Sequence, residues 1–329
     1  MKKIKKYIKD NYLFIISCLL LIFLFNYHLP YYINMPGGTI KVNDRIECKK
    51  CSDINGSLNM LYVTEYEATV PTCLLSLVIP NWDLERISEQ QISNETPEDI
   101  YNRNRLMLEN SVDNAIYVAY TNSNKEINVK SKKNIVIATT KNNGLNIGDE
   151  VLKINGKEIE NIEEIRNIIQ NSAVNKKLLF KVLRNNKEED IQVKVIKQNS
   201  KKMIGAVITT DYDYELDPKI KLKFRSSESG SSGGMMLALS IYTKINDQDI
   251  IKGRKIAGTG TIDYEGNVGK IDGIKYKIMG AHKDKMDIVL VPKENYKEAI
   301  SVAEKNHYKL KIVKVETFKD VIDYLSKDD

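Results

Sequence analysis

The chain has 329 residues, of which 42% are hydrophobic, and carries 50 Lys and Arg against 44 Asp and Glu, a formal net charge of +6. This length and hydrophobic content allow about three modules, each with a core of its own. The lysines are dispersed and do not alternate with aromatic residues in a patch, so no nucleic-acid partner is expected.

The sequence lacks the motifs of nucleotide and metal sites. The run Gly266–Lys270 does not have the spacing of a phosphate-binding loop. Three histidines occur, His28, His282 and His307, and they form no paired-histidine motif for zinc. A Ser-His-Asp triad has no supporting pattern either. We therefore expect neither a cofactor nor a bound metal.

The N-terminal segment, residues 1–33, has the pattern of a membrane anchor. A basic stretch, Met1–Lys9, precedes the apolar run Leu13–Phe25, and residues 27–33 add aromatic and aliphatic side chains of the kind found at bilayer interfaces. A cleaved signal peptide is the alternative, but Asn26–Pro30 contains no small-x-small cleavage site. We predict a single-pass transmembrane helix in the cell membrane, with the lysines cytoplasmic, near anionic lipid, and the rest of the chain extracytoplasmic.

Residues 34–115 are predicted to form an extracytoplasmic N-terminal region. Leu58–Thr64 is typical of a strand, and Thr96 and Glu98 suit the start of a helix. The apolar segment Cys73–Ile79 is too short to span a membrane, so we expect it to pack in a core. Cys48 and Cys51 could form a small disulfide loop or stay as free thiols.

Residues 116–199 predict a β-rich unit. Asn155-Gly156 is a strong turn signal between strands, and Ile162–Ile169 has apolar residues at helical spacing. Strands are predicted at Lys177–Leu183 and Asp190–Val195. The run Gly144–Lys157 resembles the central strand and turn of a PDZ domain, which implies capture of an extended peptide beside the sheet. No carboxylate-binding loop is recognisable, so a spacer that only positions its neighbour is the alternative.

Residues 200–329 are predicted to form an α/β domain. Its expected strands and helices follow in chain order: a strand at Ile220–Phe224, a helix at Met235–Leu239, a helix at Ile274–Ala281, a strand at Asp287–Val291, a helix at Tyr296–Lys305, a strand at Lys309–Val313 and a helix at Phe318–Leu325.

Two of these helices carry groups for acyl chemistry without histidine. The loop Ser229–Gly234 places serine at the first position of a helix, where unpaired backbone N–H groups could hold an oxyanion. The alternative is that Ser231 or Ser232 only caps that helix. Lys277 lies among apolar residues of the second helix, and burial would lower its pKa towards that of a base. Lys275 should point elsewhere around the helix.

Three segments, Ile256–Ile262, Gly266–Lys277 and Ile288–Asn295, resemble the proteolytic domain of the Lon protease family. The resemblance covers roughly residues 201–329. It implies that Ser232 is the nucleophile and Lys277 the general base, and that Thr259 orients the lysine. It also implies that hexameric rings, which are common for such domains, are one outcome for the oligomeric state.

The glycines beside Ser232, Gly230 and Gly233, would let a substrate backbone approach closely. The chain departs from the family pattern at Ser231, where proline is usual, at Gly233, where alanine is usual, and at Asp272, where glycine is usual. None of these changes removes a reacting group, so an active site is expected.

Together these patterns predict an α/β (α+β) multidomain protein with an N-terminal transmembrane helix, a PDZ-like β-rich domain and a C-terminal Lon-type α/β proteolytic domain. Cytoplasmic Lon enzymes carry an ATPase, and this sequence has no phosphate loop, so we expect an ATP-independent serine endopeptidase for unfolded or exported proteins. The alternative is an inactive adaptor whose PDZ domain binds peptide tails at the outer face of the membrane.

Overall fold

The computed structural model describes residues 7, 9–51, 53–91, 95–140, 143–198, 201–246 and 248–327. Its helices are α1 (Tyr12–Asn26), α2 (Val70–Ser76), α3 (Ile87–Gln90), α4 (Pro97–Asn122), α5 (Ile162–Asn171), α6 (Gly234–Ile245), α7 (Ile274–Lys283), α8 (Lys293–Lys305) and α9 (Phe318–Ser326), with a 3-10 turn at Asn43–Arg45.

The strands of the first part of the chain are β1 (His28–Lys41), β2 (Ile46–Cys48), β3 (Ser57–Thr69), β4 (Asp83–Arg86), β5 (Glu126–Thr139), β6 (Glu150–Ile154), β7 (Lys157–Glu158), β8 (Lys177–Arg184) and β9 (Lys187–Lys194). The later strands are β10 (Ile196–Gln198), β11 (Lys201–Met203), β12 (Ala206–Asp217), β13 (Ile220–Leu222), β14 (Lys255–Gly258), β15 (Thr261–Ile262), β16 (Val268–Gly269), β17 (Ile288–Pro292) and β18 (Lys311–Val315).

A six-stranded mixed sheet with the order β18-β17-β14-β3-β1-β4 organises the protein. Its first four strands are parallel, whereas β1 runs antiparallel to both β3 and β4. The sequence analysis placed residues 34–115 and 200–329 in separate regions. Strands from both regions nevertheless pair with each other in this sheet. The short pair β13–β2 joins the same two regions a second time.

Helices cover both faces of this sheet. Along β17, Ile288 and Leu290 belong to a core that includes side chains of α4, α6 and α9. The alternate residues Val289 and Val291 pack into a second core with α7 and α8. All five residues of β17 are buried, which is typical of a parallel strand that is covered on both faces. The predicted strand at Asp287–Val291 is confirmed.

The PDZ-like unit is inserted between α4 and β13. Its sheet has the order β12-β5-β6-β8-β9, and its core contains Val136, Phe180 and the α5 residue Ile165. The predicted turn is confirmed, because Asn155 and Gly156 lie between β6 and β7 with φ of 52° and 80°. The strand β12 follows residue 199, so the sheet extends past the boundary that the sequence suggested.

The apolar N-terminal run forms α1, a helix of 15 residues. Among the residues that the structure describes, no helix is long and apolar enough to cross a membrane. The expected extension of the apolar segment through residues 27–33 was wrong as a helix, because His28 begins β1. In β1 the backbone groups of Tyr32 and Ile33 are satisfied by pairing with β3 and β4. Both residues are also buried.

The expectation that Cys73–Ile79 packs in a core was also wrong. Helix α2 has no buried residue, and Leu74, Leu77 and Val78 are exposed. Hydrophobic periodicity could not predict this exposure, because the sequence of an apolar segment does not show whether another element of the fold packs against it. Cys48 and Cys51, for which two states were left open, form a disulfide.

Helix α4 connects the two parts of the protein through a buried acidic contact. Asp113 on α4 accepts a hydrogen bond of 2.9 Å from the backbone N–H of Tyr212 on β12. Burial, together with the nearby carboxylates of Asp211, Glu109 and Asp213, raises the pKa of Asp113 to about 7. Burial likewise raises the pKa of Asp211 to about 6. Both groups therefore favour the neutral form in the folded chain.

We predict that Asp113→Asn stabilises the protein at pH 8 and not at pH 4. The folded-state pKa lies above the usual value, so the native carboxyl loses stability as pH rises from about 4 to about 7, and the neutral amide avoids that loss. Thermal unfolding of variant and parent at both pH values tests this. Asp323→Asn, an exposed position on α9, is the control and should change neither midpoint. An equal effect of Asp113→Asn at both pH values would contradict the prediction.

Candidate active site

The serine-glycine loop is held in place by α4. The Gly230 N–H donates to the carbonyl of Asn104 at 2.8 Å, and Gly230 has a φ of 84°, a conformation that favours glycine. The Ser111 hydroxyl donates to the carbonyl of Ser231 at 3.1 Å. Asn104 and Ser111 were missed by sequence reasoning, because nothing near them in sequence connects them with a loop more than 100 residues away.

The predicted helix at Met235–Leu239 is confirmed within α6, but the expectation that serine takes its first position was wrong. Gly234 is its first residue and Gly233 its N-cap, so Ser232 precedes the helix rather than starting it. The N–H of Gly234 donates to Ser231 and that of Met235 to Gly260, both at 3.1 Å. A Cβ atom at Gly234 would lie 2.4 Å from the Ser111 hydroxyl, so glycine is needed for this close approach to α4.

This arrangement leaves two backbone donors beside the Ser232 side chain. In the described part of the chain, the N–H groups of Ser232 and Gly233 have no acceptor. The sequence suggested an oxyanion site at the first-turn N–H groups of the helix, whereas these two donors precede its first residue, Gly234. Ser232 itself is half-buried, so its hydroxyl can reach the solvent side of the loop.

Lys277 lies on the buried face of α7. Its side chain is 3% exposed, and it shares that face with Ile274, Ile278 and Ala281. Burial lowers the pKa of Lys277 from 10.5 to about 8, and the neighbouring Asp272 carboxylate partly opposes this shift. The prediction that Lys275 points elsewhere is confirmed, because its amine donates to Asp83 Oδ2 at 2.6 Å on the exposed side.

The segment that leads into α7 is fixed by a buried asparagine. Asn295 on α8 accepts from the Ile271 N–H at 2.9 Å and donates to the Ile271 carbonyl at 2.8 Å. At the other end of the helix, a Cβ at Gly280 would lie 3.0 Å from the Cα of Gly38 on β1, so α7 lies close against the sheet. The position of Lys277 thus depends on both α8 and an N-terminal strand.

Thr259 connects the lysine to the serine loop. Its hydroxyl accepts from Lys277 Nζ at 3.0 Å and donates to the Ser232 carbonyl at 3.1 Å. A hydroxyl has one proton, and that proton is used on Ser232, so Thr259 can only accept from the lysine. A neutral Lys277 amine therefore keeps its lone pair for another partner. The Gly260 N–H supports the same Ser232 carbonyl at 2.8 Å.

Ser232 and Lys277 line one cleft with a volume of about 830 Å³. Within the described ranges, no hydrogen bond joins the Ser232 hydroxyl to the lysine, and the connection runs through Thr259. Distances between reacting groups are often long without substrate, so this spacing is compatible with proton transfer. The strand β4 contributes Asp83, Leu84 and Glu85 to the wall of the cleft. His282 does not line this cleft and stacks on Tyr308 at 3.9 Å.

Two family models match parts of this chain. Residues 225–327 match the family described as Lon protease (S16) C-terminal proteolytic domain. The chain contains a Lon-type proteolytic domain, that of a serine peptidase. Residues 114–195 match the PDZ domain family, so a PDZ domain is also present.

Curated relatives match part of the chain. A Lon protease of Mesomycoplasma hyopneumoniae is 29% identical over 100 residues, which are 30% of this chain and 11% of that protein. A Lon protease of Aster yellows witches'-broom phytoplasma is 33% identical over 94 residues, which are 29% of this chain and 12% of that protein. The match therefore spans little more than a tenth of the length of these relatives.

Among solved structures, the PDZ domain of an SdrC-like protein from Listeria monocytogenes is similar to 25% of this chain. The match covers 92% of that domain, with 17% identity and a TM-score of 0.23. The PDZ domain of an SdrC-like protein from Listeria innocua gives 21% identity and a TM-score of 0.22 over 23% of this chain and 92% of that domain.

We predict that Thr259→Val lowers kcat/KM for a peptide substrate by about 10- to 100-fold, because the buried lysine loses its acceptor and the Ser232 carbonyl loses a donor. Thr259→Ser keeps the hydroxyl and should retain most activity. Steady-state kinetics of both variants tests this. Equal kinetics for valine and serine at this position would show that the hydroxyl is not needed.

Proposed function

We propose that this chain is a serine endopeptidase in which Ser232 is the nucleophile and Lys277 the general base. The observation that carries the proposal is the Lys277–Thr259–Ser232 chain of contacts, with the lysine 3% exposed and both reacting residues in one cleft. A lysine can act as a base only when neutral, and the lowered pKa of Lys277 makes that state accessible near neutral pH.

In the proposed reaction, neutral Lys277 takes the proton of the Ser232 hydroxyl as the serine oxygen attacks a peptide carbonyl. The N–H groups of Ser232 and Gly233 donate to the oxyanion that forms. Lys277 then gives its proton to the leaving amine, and the C–N bond breaks to leave an acyl-enzyme. Water attacks that ester with Lys277 again as the base, which releases the acid product and restores Ser232.

The proposed enzyme works without nucleotide, since no phosphate-binding loop occurs in the 329 residues. Its substrates are unfolded or exported proteins, which can enter an open cleft without being unfolded first. In the described chain β12 has β5 as its only strand partner, and α4 side chains bond its backbone at Thr210 and Tyr212, so the part of its second edge outside this contact is the candidate place for an added peptide strand. That edge supports a role of the PDZ domain in delivering substrates or binding partners.

The proposal also places the protein at the cell membrane. The apolar side chains of α1 are exposed, and basic residues precede it, which supports anchoring with the lysines on the cytoplasmic side. The Cys48–Cys51 disulfide supports an oxidising compartment for the rest of the chain.

The test uses the full chain, because removal of the residues up to 36 would delete most of β1. Unfolded casein is incubated with the parent, Ser232→Ala and Lys277→Met in the absence of nucleotide. We expect cleavage by the parent and a loss of about 10³-fold or more in both variants. Lys283→Met, at an exposed position of the same helix, is the matched control and should cleave normally.

Failure of the parent to cleave casein, with peptide binding retained in Ser232→Ala, would favour the adaptor. Equal cleavage by all variants would overturn the assignment of Ser232 and Lys277.

Lys277→Met should also raise the stability of the protein at pH 7. The buried amine is still largely protonated there, and its depressed pKa corresponds to a cost on the order of 3 kcal/mol for the charged form. Methionine fills a similar volume without charge, although it gives up the hydrogen bond to Thr259. Denaturant unfolding of variant and parent at pH 7 and pH 10 measures this, and the gain should shrink at pH 10, where the native amine is neutral. A variant less stable than the parent at pH 7 would contradict the prediction.

The pH dependence of cleavage follows from the same group. We expect kcat/KM to rise with pH and to level off above an apparent pKa of about 8, the value at which Lys277 loses its proton. The profile is measured with a peptide that has no titrating group between pH 6 and 10. A rising limb centred near pH 6.5 would point to a histidine instead of Lys277.

A further inference from the structure

An apolar surface protrudes from the fold between β3 and β4. It consists of Leu74 and Leu75 on α2 and Leu77 and Val78 just after it, and we call it the apolar projection. The exposed fractions of these four residues are 62%, 45%, 75% and 75%. A helix of a globular protein normally buries one apolar face, but α2 buries none of its residues. Clustered exposure of this kind marks an interaction surface.

The projection is continuous with the apolar helix α1. The two helices are in contact, and residues of α1 such as Leu19, Ile22 and Phe23 are more than half exposed as well. At a rise of about 1.5 Å per residue, α1 is about 22 Å long, which is shorter than the roughly 30 Å of a bilayer core. The two helices that touch each other thus both expose apolar side chains.

The chemistry of this surface suits lipid better than protein. No charged residue occurs in the segment Val70–Trp82, which contains the apolar projection. None occurs in the segment Tyr12–Tyr27, which contains α1. Charges inside a bilayer are costly, so their absence from both segments is what insertion requires. Interfaces with proteins have polar rims and hydrogen bonds, whereas the four exposed side chains of the apolar projection are all aliphatic. Tyr27 and Trp82 lie at the bases of the two segments, as aromatic residues do at membrane interfaces.

We propose that the apolar projection inserts into the outer half of the bilayer as a second membrane contact beside α1. The inference rests on the membrane anchoring proposed above. This insertion would bring the cleft near the lipid. Val78 is five residues from Asp83, which lines the cleft. Five residues span at most about 18 Å, so the cleft opens close to the lipid surface. Segments of membrane proteins that emerge from the bilayer are then the substrates nearest to the Ser232 loop.

Trp82 makes this proposal directly measurable, since it is the single tryptophan of the chain. The full chain is reconstituted in vesicles of phosphatidylcholine and phosphatidylglycerol in which the phosphatidylcholine is brominated near the carbonyl end of its acyl chains. Bromine quenches tryptophan only on close approach. We expect at least a twofold loss of Trp82 fluorescence relative to vesicles without bromine.

The variant Leu74→Ser/Leu77→Ser/Val78→Ser should reduce this quenching at least threefold while α1 still holds the chain on the vesicles. The matched control, Val129→Ser/Val174→Ser/Leu179→Ser, changes three exposed apolar residues of the PDZ domain and should leave quenching unchanged. Because these changes are at exposed positions, both variants should fold, and circular dichroism with casein cleavage checks this.

Flotation of the vesicles separates the outcomes. If the chain floats with the vesicles but bromine does not quench Trp82, insertion of the apolar projection is overturned and anchoring by α1 stands. A chain that does not float overturns anchoring and this inference together, whereas casein cleavage by Ser232 is judged independently. A blue shift of Trp82 that depends on protein concentration and not on bromine would assign the surface to a second copy of the chain and would also overturn the proposal.

Discussion

The site depends on an amine that is almost entirely buried at the wall of the cleft. Lys277 is surrounded by apolar residues of α7, and the cost of burying its charge lowers its pKa to about 8. Thr259 supplies one hydrogen-bond acceptor to that amine and uses its own proton on the Ser232 carbonyl. The same hydroxyl thus fixes the lysine and the serine loop relative to each other. Any change in the sheet that moves Thr259 moves both.

The sheet explains how this arrangement is kept rigid. Thr259 directly follows β14, which pairs with β17 on one side and with β3 on the other. Its own N–H donates to Leu290 of β17 at 3.1 Å. Since β3 and β1 come from the N-terminal part of the chain, the site is built from two regions that the PDZ domain separates in sequence. Helix α4 reinforces this union, because it holds the serine loop through Asn104 and Ser111 and contacts β12 through Asp113.

The insertion of the PDZ domain between α4 and β13 has a physical consequence. The middle of β12 is hydrogen-bonded to α4 at Thr210 and Tyr212, and α4 in turn holds the loop that carries Ser232. The two domains are therefore connected by one strand and one helix rather than by a flexible linker. The buried Asp113 and Asp211 at that junction make its stability dependent on pH in the neutral range.

Local patterns predicted much of the fold. The turn at Asn155-Gly156 followed from the need for positive φ at both positions, and the N-cap Thr96 followed from a short side chain that can accept from the N–H of Asp99. The burial of Lys277 and the exposure of Lys275 followed from helical periodicity, since residues two apart point to different sides. The turn and the cap depend on residues within one turn of each other, and for the two lysines periodicity predicted the side of the helix on which each lies.

The sequence by itself determined elements such as the Asn155-Gly156 turn and the strand β17, and the presence of the two domains, and it singled out Ser232 and Lys277 as candidate site residues. Only the tertiary structure decided that β1 and β3 complete the protease sheet, that α6 starts after Ser232, and that the segment Cys73–Ile79 stays exposed. The reason is that strand pairing and burial join residues far apart in the chain. An apolar pattern indicates that a residue can be buried. Whether the residue is buried depends on the packing of elements that are distant in sequence.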